Sequence, residues 1–209
     1  DLVERAIGRP LTWEQDDITL QNVQARVRAP SAWMLANIKN ALLLATSNRS
    51  EASVGYATMD GDTSGSISPI SGIDKSFIRT WLLWLEAQGF KGLHLVNSLE
   101  PSAELRPLSE KQVDEEDLMP YPILNTIERL VFYDLLSPHE CLEEVNKRYG
   151  AVFAKEKLEE FVRRFFRLWA RNQWKRERYA PGFHVDDYSL DPKSWLRFPI
   201  LSAGLEKDI

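Results

Sequence analysis

Residues 41–75 constrain the fold of this chain more than any other segment, and they read ALLLATSNRSEASVGYATMDGDTSGSISPISGIDK. They open with an apolar run, residues 41–45, whose length and side chains fit a buried strand, although Ala and Leu at that length could also be helical. The run stops at small polar residues, Thr46, Ser47 and Asn48, which can cap a following helix. Ligands bind at the carboxyl ends of strands in open α/β sheets, and a helix N-terminus there favours anions. We therefore expect a binding site at this point of the chain.

Glu51 lies three residues after Asn48, a spacing that suits a capping box with Asn48 as the N-cap. The spacing alone leaves two interpretations open, a helix cap and a carboxylate that serves a ligand. The residues that follow, GYATMDGDTSGSISP, are rich in Gly, Asp, Ser and Thr. A long glycine-rich loop inside a compact domain is more often functional than a mere connector.

A helix is predicted upstream, over residues 12–40. Thr12 is its expected N-cap, acidic residues in the first turns suit the helix dipole, and Pro30 is expected to kink or break it near Ala29. The apolar positions at roughly helical spacing are Ile18, Val23, Val27, Met34 and Ile38. Followed by the strand at residues 41–45, this helix gives the αβα order of a doubly wound α/β fold.

Helices also dominate the rest of the chain. Residues 75–88 predict a helix that ends at Gly89, and residues 93–97 predict a short strand. The later helical patterns cover residues 123–136, 138–149 and 154–174, and residues 179–209 look irregular.

The predicted helix over residues 154–174 has two distinct sides. Its apolar residues, at a spacing of three and four, are Leu158, Phe161, Val162, Phe165, Leu168 and Trp169. Its other side carries basic residues four positions apart, hence one stripe: Arg163, Arg167, Arg171 and Lys175. Such a stripe is one feature of nucleic-acid binders, but the net charge of −5 argues against that class.

The length of 209 residues fits a single domain. Cys141 is the one cysteine, which excludes an internal disulfide and suits a reducing compartment; we interpret it as a packing residue. No apolar run approaches the roughly 20 residues of a membrane helix, and no signal peptide is evident. A cytoplasmic location is therefore expected.

Five ordered motifs resemble those of the synthetase domain of glutamine-dependent NAD synthetases. They are QNVQARVR at residues 21–28, TSNRSE with VGYATMDGD and SPISGIDK within residues 46–75, EPSAELRP at residues 100–107, QVDEEDLMPY at residues 112–121 and NQWKRERYAPGFHVDDY at residues 172–188. One motif alone would be weak, but together they span nearly the whole chain.

The resemblance implies an α/β fold, part of the doubly wound Rossmann-like (adenine nucleotide alpha hydrolase) type, predominantly helical here and with few parallel strands. The family opens this fold with an SGGxDS loop around the pyrophosphate of ATP, a motif that this sequence lacks. We therefore expect the C-terminal portion of a longer synthetase, without its glutaminase domain. Residues 1–107 would be the remainder of the nucleotide-binding core, and residues 108–209 an acidic loop, helices and a C-terminal tail. We expect this chain to supply about half of an active site and to be inactive alone.

The family's reaction gives the expected function, which is NAD biosynthesis. Its members amidate deamido-NAD (nicotinate adenine dinucleotide) to NAD through an acyl-adenylate, using ATP, Mg²⁺ and ammonia released from glutamine by a glutaminase domain. The resemblance also implies a homodimer or a higher homo-oligomer. Neither a nucleic acid nor a membrane is an expected partner. The alternative function is a helical oligomerisation or interaction module without catalysis.

The resemblance also implies roles for individual residues within the motifs. Glu51 resembles the family's catalytic acidic residue, which approaches Mg²⁺ and deamido-NAD. The positions that resemble ATP contacts are Thr46, Lys75 and Ser102. The positions that resemble deamido-NAD contacts are Asn22, Arg26, Glu51, Asp62 and Lys175. Without the motifs, simpler interpretations would apply to three of these residues: a solvated side chain for Lys75, a surface ion pair for Arg26 and a role in a turn for Asp62.

Some positions depart from the short, ammonia-dependent members. Met59 and Ser66 stand where those members have Lys and Asp, and Trp174 stands in place of a His. The first two differences resemble the glutamine-dependent branch, so those two roles are not transferred, and a histidine role at Trp174 is lost.

Two acidic features of the sequence contain residue types that bind metal ions. The run at residues 114–117 is interpreted as a solvated loop that closes over the site, because consecutive carboxylates cannot all converge on one ion. His184, with Asp186 and Asp187, is a weak metal candidate, because a single His without Cys or a second His is seldom a ligand set.

Overall fold

The computed structural model describes residues 2–107, 113–202, 204–205 and 208–209. The chain is mostly helical over these residues. Its helices are α1 (Leu2–Ile7), α2 (Trp13–Lys39), α3 (Arg49–Val54), α4 (Lys75–Ala87), α5 (Leu93–Ser98), α6 (Asp114–Asp117), α7 (Tyr121–Phe132), α8 (Pro138–Tyr149), α9 (Lys155–Arg171) and α10 (Gln173–Arg176). Residue 108, the predicted start of the second part of the chain, and Gln112, the first residue of the fourth motif, lie outside the described residues.

Extended pairing in the described part of the chain consists of two isolated parallel bridges. Leu44 pairs with Ile67, where Ala45 N–H donates to the Ile67 carbonyl over 2.9 Å. Ser68 pairs with Gly182. The strand predicted at residues 41–45 is therefore reduced to a single bridge, and the neighbouring strands of a doubly wound sheet are not among the described residues.

The strand predicted at residues 93–97 is wrong, because these residues form α5. A short apolar run cannot separate strand from helix by itself. Here α5 packs on α4, and Asn97 Nδ2 donates to Glu86 Oε2 over 2.6 Å and to the Leu82 carbonyl over 3.3 Å. These contacts favour a helical hairpin.

The long helix α2 begins as predicted but is not interrupted where the proline suggested. Thr12 Oγ1 accepts a hydrogen bond from Gln15 N–H, which confirms the N-cap. The predicted break near Ala29 is absent, since backbone dihedrals inside α2 become non-helical at Asp16 and not at Pro30. The Asp16 carboxylate accepts from Thr12 N–H and from the Arg9 guanidinium, so its side chain is bonded back to the residues that precede the helix. Pro30 removes one donor in the middle of a 27-residue helix, and the flanking turns stay intact.

The apolar residues of α2 do not face the core. Ile18 is 75% exposed and Ile38 is 76% exposed, and the other members of the predicted apolar set are also exposed. The buried residues of α2 are Ala25, Ala29 and Ala36. Small side chains therefore bring this helix close to its neighbours.

The core lies between α3, α7, α8 and α9. The apolar stripe predicted for α9 is confirmed, since all its members are buried except Leu168, which packs partly buried against the core. Phe132 of α7 packs against Phe165 and Trp169 of α9, with ring centroids 6.0 Å and 5.4 Å apart. Cys141 is fully buried, and burial raises the pKa of its thiol to about 12, as expected of a packing residue.

The basic stripe of the sequence is divided between two helices. α9 ends at Arg171, Asn172 departs from helical dihedrals, and Lys175 belongs to α10. The prediction of one helix with one stripe is wrong, because the Asn172 side chain is drawn to α3, where its Nδ2 donates to the Val54 carbonyl over 2.8 Å.

No helix in the described ranges has both the length and the hydropathy that a bilayer crossing requires.

Gly55 ends α3 in a conformation that only glycine adopts readily. Its φ is +65°, and a Cβ at this position would lie 2.3 Å from Asn172 Cβ. Gly89 also has a positive φ, +106°, but an added Cβ there meets nothing within 4 Å. Replacing each glycine by alanine therefore separates two effects: both variants carry backbone strain, but only the one at Gly55 also carries steric overlap.

We expect Gly55→Ala to lower the free energy of unfolding by about 2–4 kcal/mol, from left-handed strain and overpacking together. Gly89→Ala, the matched control, should lose only the strain contribution of about 1–2 kcal/mol. Urea denaturation followed by circular dichroism measures both. Equal losses would show that Asn172 yields to the added methyl group.

Candidate functional site

The candidate site is built around the N-terminus of α3. Asn48 Oδ1 accepts from Glu51 N–H over 3.1 Å, and Glu51 Oε2 accepts from Asn48 N–H over 3.3 Å. The capping box predicted from the spacing is therefore confirmed. The helix follows the Leu44–Ile67 bridge directly, so its N-terminus lies just beyond the carboxyl end of the extended segment.

Glu51 serves more than the cap. Lys75 Nζ donates to Glu51 Oε1 over 3.1 Å, and the two side chains are 22% and 19% exposed. Burial raises the pKa of the Glu51 carboxyl, and the nearby Lys75 ammonium acts in the opposite direction. One oxygen of Glu51 thus caps α3 and the other meets a cation, which makes the two sequence interpretations compatible.

Lys75 is placed by the meeting of α3 and α4. It is the first residue of α4, and its backbone N–H donates to Ser50 Oγ over 2.9 Å. Ser50 Oγ in turn donates to Asn125 Oδ1 over 2.6 Å, and Asn125 Nδ2 donates to Asp74 Oδ1, the N-cap of α4. These bonds tie the N-termini of α3 and α4 to α7 and fix the position from which the lysine reaches Glu51.

A buried ion network lies beneath this pair. Arg49 Nε donates to Glu128 Oε1 over 2.6 Å, and Arg49 Nη1 donates to Asp186 Oδ2 over 2.9 Å. Tyr188 OH also donates to Glu128 Oε1 over 2.7 Å, and its ring lies 4.2 Å from the Arg49 guanidinium carbon. The network connects α3, α7 and the C-terminal segment.

Sequence reasoning missed this network, although one signal was present. Glu128 lies on the apolar face of α7, four residues after Leu124 and three before Val131, both buried. A charged residue at such a position requires a buried partner. Nothing in the sequence pattern identified Arg49 and Tyr188 as those partners.

A cleft of about 440 Å³ lies beside the C-terminus of α3. Among its lining residues are two of the predicted ligand positions, Asp62 and Lys175. Lys175 Nζ donates to the Gly55 carbonyl over 2.9 Å, and Asp62 Oδ2 accepts from Thr58 N–H over 2.6 Å. Burial lowers the pKa of Lys175, while the Asp62 charge opposes that shift.

The remaining predicted residues are not gathered at this cleft. Asn22 and Arg26 share a groove along α2, and Arg26 Nε donates to the Met59 carbonyl over 3.0 Å. Thr46 is exposed between the bridge and α3. Ser102 is exposed in a turn where its Oγ accepts from Glu104 N–H over 3.1 Å. The structure thus joins Glu51 to Lys75 by a direct contact and places Asp62 and Lys175 in one cleft, with the other four residues apart from both pairs.

The acidic run is not a solvated loop, and that prediction is wrong. It forms the short helix α6, in which Asp114 is buried and its Oδ2 accepts from Tyr121 OH over 2.9 Å. Tyr56 OH donates to Asp117 Oδ2 over 2.8 Å at the cleft. Burial raises the pKa of the Tyr56 phenol, and the bond to Asp117 adds to the shift. Tyr121 OH holds the Asp114 carboxylate inward, whereas Asp117 stays exposed and is bonded by Tyr56 OH.

The weak metal candidate near the C-terminus is occupied by other contacts. His184 Nε2 lies 2.9 Å from Ser194 Oγ, and Asp186 is bonded to Arg49. Among the residues that the structure describes, no group of three or more His, Cys, Asp or Glu side chains is placed to hold a metal ion.

Two helix N-termini that meet at a Glu–Lys pair form a site suited to an anionic ligand, and the cleft at the other end of α3 holds a second lysine. A protein-family model described as NAD synthase matches residues 3–178 of the chain. The chain therefore belongs to the NAD synthase family.

Individual relatives are similar over nearly the whole chain. The crystal structure of a glutamine-dependent NAD(+) synthetase from Cytophaga hutchinsonii superposes with a TM-score of 0.81 at 50% identity, covering 99% of this chain and 32% of that one. The glutamine-dependent NAD(+) synthetase of Xanthomonas campestris pv. campestris is 34% identical over 200 residues, which are 95% of this chain and 33% of the relative. That of Rattus norvegicus is 30% identical over 200 residues, covering 90% and 28%. The chain spans about a third of the length of the curated relatives it matches.

We expect Glu128→Ala to lower the free energy of unfolding by about 3–5 kcal/mol, because the buried Arg49 would lose its fully buried carboxylate partner and keep the more exposed Asp186. Glu159→Ala is the matched control, since Glu159 pairs with Arg163 on a half-exposed helix face and its loss should cost about 1 kcal/mol or less.

Replacing both Arg49 and Glu128 by Met should recover part of the loss, because the uncompensated charge disappears with its partner. Guanidinium denaturation of the two single variants and the double variant measures these differences. Equal losses in Glu128→Ala and Glu159→Ala would contradict the assignment of a buried charge pair.

Proposed function

We propose that the protein carrying this chain synthesises NAD by ATP-dependent amidation of deamido-NAD, with nitrogen from glutamine or ammonia. The observation that carries the proposal is the Glu51–Lys75 pair at the meeting of two helix N-termini, within motifs that this chain shares with the NAD synthase family. The names of the relatives support the choice of reaction and of glutamine as nitrogen source.

The chemistry explains why cations and backbone donors are required. A carboxylate is a poor electrophile, so a nicotinate oxygen first attacks the α-phosphorus of ATP, forming the acyl-adenylate and releasing pyrophosphate. Ammonia then attacks the acyl carbon, a C–N bond forms, and the C–O bond to AMP breaks as a proton leaves the nitrogen. Fixed positive charge and N–H groups stabilise the negative charge that develops on phosphorus oxygens.

For ATP we propose contacts from Lys75, Thr46 and Ser102. The Lys75 ammonium has three donors, of which one meets Glu51, and it is the type of point charge that suits a phosphate. The Thr46 hydroxyl is exposed next to the N-terminus of α3, where an anion is favoured. Ser102 contributes a hydroxyl from the separate turn before residue 107.

For deamido-NAD we propose contacts from the cleft and from α2. Asp62 and Lys175 line the cleft, where the carboxylate can accept from a ribose hydroxyl and the ammonium can meet a phosphate or carboxylate. Arg26 keeps its Nε on the Met59 carbonyl, so its terminal nitrogens form the fork that suits an anionic group. Asn22 shares its groove.

Mg²⁺ would find one protein ligand at Glu51. Magnesium is usually held by one or two carboxylates together with substrate phosphates and waters, so a single glutamate beside an ATP site fits its requirements. When bound, the ion would neutralise charge on the phosphates during adenylation. Glu51 itself is held in place by the capping box and by Lys75.

We also propose the finer architecture that the family implies. The parallel bridge at Leu44 and Ile67 would belong to the edge of a doubly wound Rossmann-like sheet, with residues 1–107 as nucleotide-binding core and residues 108–209 as a helical part with a C-terminal tail. Large exposed apolar side chains on α2 and α4, including Ile38, Phe77 and Trp84, favour burial against further protein, such as a second copy in a homo-oligomer.

An assay of the protein that carries this chain tests the reaction. Deamido-NAD, ATP and Mg²⁺ are supplied with either glutamine or ammonium, and NAD formation is followed. NAD should form with at least one nitrogen source. Failure with both would overturn the proposed function.

Arg26→Ala and Glu51→Gln should affect different kinetic constants in that protein. Arg26→Ala should mainly raise KM for deamido-NAD, because it removes a binding contact, whereas Glu51→Gln should lower kcat and weaken the response to Mg²⁺. Steady-state kinetics with varied deamido-NAD and Mg²⁺ measure both. Unchanged constants together with a lowered Tm would favour purely structural roles, an α2 surface contact and a helix cap.

Lys175→Ala should weaken deamido-NAD affinity by about 1–3 kcal/mol, the range for a lost hydrogen bond to a charged group. Arg163→Ala is the control, because Arg163 lies on α9, bonded to Glu159 and to the Ile209 carbonyl. That variant should leave affinity nearly unaltered in calorimetric titrations.

The same two variants test the nucleic-acid interpretation of the basic residues. A nucleic-acid surface would show similar losses of oligonucleotide binding at both positions and a steep salt dependence. That result, with no effect on deamido-NAD, would overturn the ligand role of Lys175.

A further inference from the structure

The C-terminus of α3 is capped by side chains from a distant segment of the chain. The last carbonyls of a helix have no partner within it, and α3 has only six residues. Asn172 Nδ2 donates to the Val54 carbonyl over 2.8 Å. Arg176 Nη1 donates to the Ser53 carbonyl over 2.9 Å and to the Ala52 carbonyl over 3.2 Å.

Lys175 extends the same series, since it donates to the carbonyl of Gly55. The carbonyls of residues 52–55 are therefore all bonded by three side chains that lie within five residues of one another. We call Asn172, Lys175 and Arg176, in this contact, the carbonyl clamp.

Arg176 is the central member of the clamp. It is 1% exposed, and its described partners are all uncharged: the Trp169 carbonyl and Gln173 Oε1 in addition to the two carbonyls of α3. Burial lowers the pKa of Arg176 to about 10. Burying a cation without a directly bonded carboxylate is costly, so the carbonyls that it bonds, two of them at the end of α3, supply compensation, and the charge of Glu177 adds to it.

The clamp is connected to Glu51 through a single turn of backbone. Tyr56 N–H donates to the Glu51 carbonyl over 2.9 Å, and Gly55 N–H donates to the Ala52 carbonyl over 3.2 Å. Because Gly55 has no side chain, Asn172 can lie directly against it. A displacement of these carbonyls therefore moves the residue that bears the carboxylate.

We propose that Asn172 and Arg176 are positioning residues that hold Glu51 against Lys75 by clamping the last carbonyls of α3. A helix this short is not stable by itself in water, so its register depends on contacts at its ends. The inference rests on the proposed function, in which Glu51 acts at the reacting groups. Arg176 does not line the cleft proposed for deamido-NAD, and Asn172, which does, acts here through its bond to the Val54 carbonyl.

Three variants test the clamp in the protein that carries this chain. Arg176→Lys keeps the charge but offers one donor nitrogen in place of the three that meet the α3 carbonyls, the Trp169 carbonyl and Gln173 Oε1. Asn172→Ala removes one bond, and Arg171→Ala is the control at an exposed position on the last turn of α9. Each variant is compared with wild type in steady-state kinetics, in melting temperature and in hydrogen exchange of the amides of residues 52–56 without ligands.

Arg176→Lys should lower kcat about tenfold to a hundredfold, the effect of a displacement near 1 Å, with KM for deamido-NAD nearly unchanged. Exchange at residues 52–56 should accelerate while the core amides of α7 and α9 stay protected. Asn172→Ala should show a smaller effect of the same kind, and Arg171→Ala should show none.

The clamp would be overturned by exchange at residues 52–56 that does not change, or by a lowered Tm with unchanged kcat, which indicates a merely structural role. A raised KM with unchanged kcat would also overturn it, by indicating direct ligand contact. If the wild-type protein forms no NAD, the proposed function fails separately, and the exchange result alone then decides whether these side chains hold α3.

Discussion

The candidate site depends on how one six-residue helix is held at both of its ends. At its N-terminus, α3 is fixed by the Asn48–Glu51 capping box and by Arg49, whose guanidinium is buried against Glu128. At its C-terminus the side chains of the carbonyl clamp donate to the last carbonyls of α3, including those of Val54 and Ser53. An isolated helix of this length is marginal, so these polar contacts, and not intrinsic propensity, decide where the carboxylate of Glu51 lies.

Two buried arginines perform this task by different physical means. Arg49 is compensated by carboxylates, Glu128 and Asp186, and by a stacked tyrosine ring, whereas Arg176 is compensated by backbone carbonyls. A buried ion pair contributes little net stability compared with apolar residues of the same volume. Both contacts are directional, however, and an apolar replacement would fill the space without fixing the register of α3. We interpret these directional bonds as what holds α3 in a single register, at the cost of burying two charged side chains.

Local signals in the sequence were sufficient for several local contacts. The Asn48–Glu51 spacing predicts the capping box, the periodicity of α9 predicts its buried face, and the position of Cys141 predicts packing. Several of the failures arise where distant residues decide the structure. Asn172 leaves the helix to reach Val54, and Asp114 is drawn inward by Tyr121, so a long helix and a solvated loop were predicted in error. The Arg49–Glu128 pair joins residues 79 positions apart, and no periodic pattern contains that information.

The two lysines that we propose as ligand contacts are already engaged within the protein. Lys75 is bonded to Glu51 and Lys175 to the Gly55 carbonyl, so in the proposed function an arriving phosphate would exchange one partner for another instead of meeting an unbonded cation. Such an exchange lowers net affinity, because the internal acceptor must find a new donor or ion. It also keeps both ammonium groups within a narrow range of positions before the ligand arrives, which reduces the reorganisation required in the transition state. For Glu51 the new partner would be Mg²⁺, so the movement of Lys75 toward ATP and the entry of the ion would be coupled events at a single carboxylate.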